Sequence, residues 1–323
     1  MCTAITFKTK DHYFGRNLDL EYSFYESIII TPRKFPLKFR MVQEQKNHYA
    51  MIGAGIVRDN FPLYYDATNE AGLSIAALNF PGNAVYHPKV QTMENVASYE
   101  LIPWILGQCA TVTDAEILLK NANITAEEFC KALPSSPLHW IIADRESAVT
   151  VESREDGLHI ITNPVGILTN NPPFEYHIHN LNNYLNLTRE ESQNHFAPSS
   201  PLMPHSRGLG AFGLPGDLSS PSRFIKAAFT KLNSVSGDSE EESVTQFFHI
   251  LSSVEQQSGC VRVGKDFEKT VYTSCCNTDT GVYYYVTYEN RQITAIDMHR
   301  EHLESDKLIH YPMIRKQQIH PDN

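Results

Sequence analysis

Apolar and polar residues alternate along Cys2-Thr3-Ala4-Ile5-Thr6-Phe7 and again from His12 to Arg16. A two-residue period puts successive side chains on opposite faces of a strand. The pattern predicts strands at 2–8 and 12–16, joined by a turn at Thr9-Lys10-Asp11. Similar patterning predicts strands at 27–31, 48–56, 63–67 and 73–79, then at 138–143, 147–153, 158–163 and 167–169. A last set falls at 270–275, 282–289 and 292–297, where Val282-Tyr283-Tyr284-Tyr285-Val286-Thr287-Tyr288 is dense in β-formers. Helical spacing predicts helices at 96–108, 113–120, 126–133, 173–187, 222–232 and 238–253. Strands, helices, strands, helices, strands suits an α+β chain: two packed antiparallel sheets flanked by helices.

The chain of 323 residues is long enough for a substantial core, and no Pro/Ser-rich linker splits it, so residues 1–323 read as one domain. Ala197-Pro198-Ser199-Ser200-Pro201 reads as an excursion rather than a boundary. A net charge of −10 argues against a nucleic-acid partner, while a few local arginines can still reverse the potential inside a pocket. No segment has the roughly 18 apolar residues of a membrane span. Lys8, Lys10, Asp11 and His12 interrupt any signal-peptide core, so a cytoplasmic location is expected. The six cysteines, at 2, 109, 130, 260, 275 and 276, have no disulfide-framework or C-x-x-C spacing.

Two literal patterns carry no chemistry. Gly208-Leu209-Gly210-Ala211-Phe212-Gly213 matches a dinucleotide fingerprint but lacks the flanking strand and helix that make one work. The fourteen histidines form no H-E-x-x-H; His177 and His179 cannot share a helix face and read as solvated, so no metal is expected.

Candidate chemistry begins at position 2. A small side chain behind Met1 favours methionine removal, which would place a thiol and a free α-amine on Cys2. With a thiol pKa of about 8.5 and an amine pKa of about 7.7–8.0, the amine can take up the thiol proton near neutrality. A nucleophile activated by its own N-terminal amine is one form of covalent catalysis. A tight turn centred on Lys10 and Asp11 would pair Cys2 with Asp19, and Gly15-Arg16-Asn17-Leu18-Asp19 brings a cation, an amide and an anion nearby. Strict alternation cannot aim both Arg16 and Asp19 at Cys2, so a bend or bulge is expected near 15–17.

Cys2 with Phe14-Gly15-Arg16-Asn17-Leu18-Asp19 resembles the opening of the choloylglycine hydrolase family, N-terminal-nucleophile amidohydrolases that comprise bile salt hydrolases and penicillin V acylases. The resemblance continues in order through Asn69-Glu70-Ala71-Gly72-Leu73, Ala77-Leu78-Asn79-Phe80-Pro81-Gly82, Leu138-His139-Trp140 and Leu168-Thr169-Asn170. It runs on through Gly213-Leu214-Pro215-Gly216-Asp217, Ser220-Pro221-Ser222-Arg223-Phe224 and Tyr272-Thr273-Ser274-Cys275. Asn79 and the ending Ala295-Ile296-Asp297-Met298 resemble the bile salt branch, where penicillin acylases have a tyrosine at the former position.

The resemblance implies a four-layer αββα sandwich, no cofactor and a homotetramer. It implies hydrolysis of glycine- or taurine-conjugated bile salts through a Cys2 thioester. Arg16 and Asp19 would orient the N-terminus, Asn79 would line the oxyanion hole, Asn170 would hold the amine or amide, and Arg223 would complete the network. Leu18, Phe61, Tyr65, Phe129 and Leu133 fall on segments that would line a steroid groove. Arg207 departs from a loop that is often glycine-rich and cation-free in relatives, and is expected to tilt preference toward taurine. A penicillin V acylase would differ in pocket rather than chemistry. A non-catalytic steroid binder would not need Cys2, Arg16, Asp19, Asn79 and Asn170 together.

Overall fold

A computed structural model describes all 323 residues, Met1–Asn323. The chain runs β1 (Cys2–Lys8), β2 (His12–Leu20), β3 (Ser27–Thr31), β4 (Met51–Arg58), β5 (Phe61–Asn69), β6 (Ser74–Asn79) and β7 (Glu94–Ala97). Helices α1 (Leu101–Leu106) and α2 (Val112–Leu119) follow, then β8 (Ala122–Thr125), β9 (Leu138–Ala143), β10 (Ala148–Arg154), β11 (Gly157–Thr162) and β12 (Ile167–Leu168). Next come α3 (Phe174–Asn180), α4 (Ser220–Asn233) and α5 (Glu240–Ser252). Strands β13 (Val261–Val263), β14 (Asp266–Asn277), β15 (Val282–Thr287), β16 (Thr294–Asp297) and β17 (Ile309–Pro312) close the chain.

Two antiparallel sheets form the middle layers. One has the order β12-β1-β2-β14-β15-β16, with β13 beside β14; the other has the order β11-β10-β9-β6-β5-β4-β3-β17. Even-numbered residues of β1 and β2 face the second sheet. Odd-numbered ones face the helices: Thr3 meets Arg223 of α4, and Asn17 donates to Leu251 O of α5. Phe224, Ala227 and Ala228 of α4 and Phe247, Ile250 and Leu251 of α5 cover that face with buried apolar surface. Helix α5 starts at a capping box, in which Ser239 Oγ accepts from Glu242 N and Glu242 Oε2 accepts from Ser239 N. Helix α1 packs its buried Leu101, Ile102 and Ile105 on the outer face of the second sheet. The architecture is the four-layer αββα sandwich.

Several local expectations are corrected. The loop after β1 holds three residues, so Lys8 opposes His12 and Cys2 opposes Leu18, not Asp19. No bulge occurs at 15–17. It lies on the partner strand at Val271, where Thr270 pairs with Asp19 and Tyr272 with Leu18. The extra residue sends Thr270 to the helix side and Tyr272 between the sheets. No helix forms over 126–133. Phe129 and Leu133 turn inward there, and Arg40 takes up the Phe129 carbonyl, so tertiary contacts override helical propensity. The segment 96–108 begins as β7, which pairs in parallel with the unpredicted β8, before α1 starts.

Candidate active site

Cys2 opens β1 at the edge of the inter-sheet space and is 2% exposed. Its register places Leu18 opposite and Arg16 opposite Ala4, on the same inner face. Met1 pairs with Asp19 through two backbone hydrogen bonds, Met1 N to Asp19 O at 2.9 Å and Asp19 N to Met1 O at 3.0 Å, and its ammonium ion-pairs with Glu268. Cys2 N donates to Asn170 Oδ1 at 2.8 Å. The nitrogen that would become the α-amine is therefore already held by a side-chain acceptor.

Arg16 and Asp19 approach Cys2 from opposite faces of the sheet, so alternation holds and both still flank the N-terminus. The Arg16 guanidinium, fully buried, donates to Tyr65 O at 3.0 Å and to Ala77 O. Tyr65 is available because β5 bulges there: Ala54 pairs with Asp66 and Gly55 with Tyr64, leaving Tyr65 outside the ladder. Burial works against the charge on Arg16, yet Cys2, Tyr272, Asp66 and Asp19 together raise its pKa above the ordinary arginine value. Asp66 accepts from Tyr272 Oη at 2.6 Å, Tyr283 Oη at 2.5 Å and Ser274 Oγ at 3.1 Å, and Ser274 Oγ in turn accepts from Arg16 N at 3.1 Å. Burial raises the Asp66 pKa against the opposing pull of Arg16 and these hydroxyls.

Beneath the strand, Arg223 of α4 donates to Cys2 O (2.5 Å), Thr3 Oγ1 (2.6 Å), Asn170 Oδ1 (2.7 Å) and Leu218 O (3.0 Å). Its Nη1 lies 3.9 Å from Asp19 Oδ2, and both side chains are buried. Burial raises the Asp19 pKa, opposed first by Arg223, while Thr270 Oγ1 donates to Asp19 Oδ1 at 2.6 Å. Asn170 closes the cluster: its Nδ2 donates to Asn79 O at 2.7 Å, and its N donates to Ser220 Oγ at 2.8 Å. Asn79 lines the cavity in front of Cys2.

That cavity, about 190 Å³, is walled by 15 hydrophobic residues out of 21. Leu18, Tyr65, Phe129 and Leu133 line it beside Cys2, Arg16 and Asn79. Phe61 stands one row behind, with its ring centroid 6.2 Å from Tyr99 and 6.3 Å from Phe129. Arg207 lies on an exposed loop outside the lining. Cys275 and Cys276 are buried, and burial pushes both thiols up, Cys276 to about 12, so neither competes with Cys2 as a nucleophile.

The family described as linear amide C–N hydrolases, choloylglycine hydrolase family, matches residues 2–311. The chain belongs to this family. A "Bile salt hydrolase/transferase" of Lactiplantibacillus plantarum is 50% identical over the full length of both chains. One of the same description from Clostridium perfringens is 38% identical, covering 96% of each. Among solved structures, the C2A mutant of the conjugated bile acid hydrolase from Clostridium perfringens superposes with a TM-score of 0.93, at 36% identity and full coverage of both chains. A penicillin V acylase from Agrobacterium tumefaciens shares the fold, with a TM-score of 0.74 at 17% identity over 96% of this chain and 91% of that one.

Sequence reasoning missed part of this buried cluster. His177 is not solvated. It is 1% exposed, with Nε2 donating to Asn170 O at 2.9 Å, whereas His179 is exposed. Its neighbours at helical spacing, Phe174 and Leu181, were the available signal that this face of α3 is buried. Asp66 with Tyr272 and Tyr283 was also missed, because its partners are some two hundred residues away in sequence and only the stacked sheets bring them together.

Proposed function

We propose that this chain hydrolyses the amide joining a bile acid to glycine or taurine, through a thioester on Cys2. One observation carries the reading: at one end of an apolar cavity stands a buried cysteine whose nitrogen, 2.8 Å from Asn170 Oδ1, becomes an α-amine once Met1 is removed. A rigid, largely apolar acyl group suits such walls, with recognition by shape and burial. The relatives' descriptions as bile salt hydrolases support that substrate class.

With Met1 gone, the Cys2 amine accepts the thiol proton and Sγ attacks the amide carbonyl. Asn170 Oδ1 holds one amine hydrogen and thereby aims the lone pair at sulfur. Arg16, charged and beside Cys2, favours the thiolate. The Asn79 amide N–H meets the developing oxyanion, a contact whose loss costs about 3–4 kcal/mol. The ammonium then passes its proton to the leaving nitrogen, C–N cleavage releases glycine or taurine, and the acyl group stays on sulfur. The freed amine next takes a proton from water, hydroxide attacks the thioester, and bile acid and thiol are regenerated.

Arg16 is the sole cation in the cavity lining, so Arg207 would act on the leaving group from the loop outside. The ratio of kcat/KM for taurocholate over glycocholate in R207G measures that contribution. A single domain, a cytoplasmic location and a homotetramer complete the proposal. The exposed Leu185, Phe196, Met203 and Phe212 on the segment between α3 and α4 support subunit association, and analytical ultracentrifugation tests it. No helix is long and apolar enough to cross a membrane. The decisive assay follows glycine or taurine release from conjugated bile salts beside penicillin V. Cleavage of penicillin V alone would reassign the substrate.

A further inference from the structure

Asn170 joins Cys2, Arg223 and Asn79 through its side chain, yet its own backbone lies past the end of a sheet. The ladder between β12 and β1 stops at Leu168, which pairs with Ala4. Beyond it, two buried histidines take up the carbonyls: His139 Nε2 lies 2.9 Å from Thr169 O, and His177 Nε2 lies 2.9 Å from Asn170 O. A carbonyl only accepts, so each ring donates from Nε2. Each ring also stacks on a phenylalanine adjacent to a site residue. His139 lies on Phe80, next to Asn79, at 4.3 Å, and His177 on Phe224, next to Arg223, at 4.8 Å. His177 Nδ1 is buried without a partner, and burial lowers the pKa of the ring from 6.5 to about 4. At neutral pH the ring is therefore uncharged, with one N–H fixed on the Asn170 carbonyl.

We propose that His177 is a positioning residue, which fixes the Asn170 backbone so that Asn170 Oδ1 stays on the Cys2 nitrogen. The chain of contacts is His177 Nε2 to Asn170 O, then Asn170 Oδ1 to Cys2 N, and no step passes through substrate. This rests on Cys2 as the nucleophile. When the backbone of Asn170 slips, the amine lone pair is no longer aimed at sulfur and the thiol activates less readily.

The test is the rate of Cys2 alkylation by iodoacetamide in the purified chain, read on the N-terminal peptide by mass spectrometry so that the exposed Cys130 and Cys260 do not contribute. H177F keeps a ring on Phe224 but loses the donor. H177Q places an amide N–H near the reach of Nε2, and the shorter H177N does not. At a temperature where all variants are folded by circular dichroism, H177F should be slower by about tenfold, the worth of one net hydrogen bond. H177Q should recover most of the rate and H177N should not. Equal rates for wild type and H177F, or equal slowing in H177Q and H177N, would overturn the proposal, because packing would then account for the residue. If H177F does not fold, the comparison of H177Q with H177N decides alone. No bile salt enters this assay, so failure of the wild type to cleave conjugated bile salts would count against the proposed substrate and leave this result standing.

Discussion

Replacing Arg223 by methionine removes four hydrogen-bond donations and the nearest cation to Asp19, 3.9 Å away, with both side chains buried. Breaking a buried pair from one side costs about 3–5 kcal/mol, chiefly because the remaining charge is left uncompensated. That cost depends on pH. Burial already raises the Asp19 pKa, and Arg223 is the largest influence opposing the rise. In R223M the folded-state value therefore climbs further above the unfolded one. Stability is retained below the unfolded pKa, near 4, and is lost as pH rises through the raised folded value. The R223M deficit should thus be smaller at pH 4.5, where only the four lost donations count, and larger at pH 7.5, where the stranded Asp19 charge adds about 3–5 kcal/mol, as read by urea unfolding. Adding D19N removes the stranded charge, so the double variant should recover about 1–3 kcal/mol relative to additivity. It should not recover turnover, because Asn170 Oδ1 still lacks its Arg223 donor. A deficit independent of pH, or D19N adding its full cost, would refute the ion-pair argument.

Further outcomes follow from the same contacts. N79A should lower kcat/KM by about 10²–10³ with little change in unfolding, since Asn79 lines the cavity; a loss under threefold would remove it from the oxyanion site. F129A removes a wall that packs 5.4 Å from Tyr99, and should raise KM for conjugated bile salts about tenfold while kcat stays nearly constant. His177 has a folded pKa of about 4 against 6.5, so its contribution to stability is complete above 6.5 and is lost as pH falls through 4. The stability gap between wild type and H177Q should shift by about 3 kcal/mol between pH 7 and pH 4. Parallel stability curves would contradict that burial.

The parts of the site legible in the sequence are those held by local pattern: the alternation that makes β1 and β2 a hairpin, and Arg16 and Asp19 within reach of position 2. Register was not legible, because whether the turn uses two residues or three is set by how Lys8 and His12 pair. The bulge belongs to Val271, more than 250 residues from the strand it adjusts, so no local signal near Arg16 could reveal it. Phe129 and Leu133 were identified as lining residues although the helix assigned to them does not exist: their apolar character was visible, but the Arg40 contact that replaces helical hydrogen bonding was not. His177 shows the same limit, since its burial depends on Phe224 from another helix.

The central claim is that Cys2, as the first residue of the mature chain, carries the acyl group. Intact-protein and N-terminal peptide mass spectrometry on enzyme quenched in acid during glycocholate turnover measures this directly. The account predicts a chain lacking Met1 with a cholyl thioester on Cys2, and no adduct or glycine release in C2A. Steady turnover by a chain that retains Met1, or an acyl group on any other residue, would contradict it.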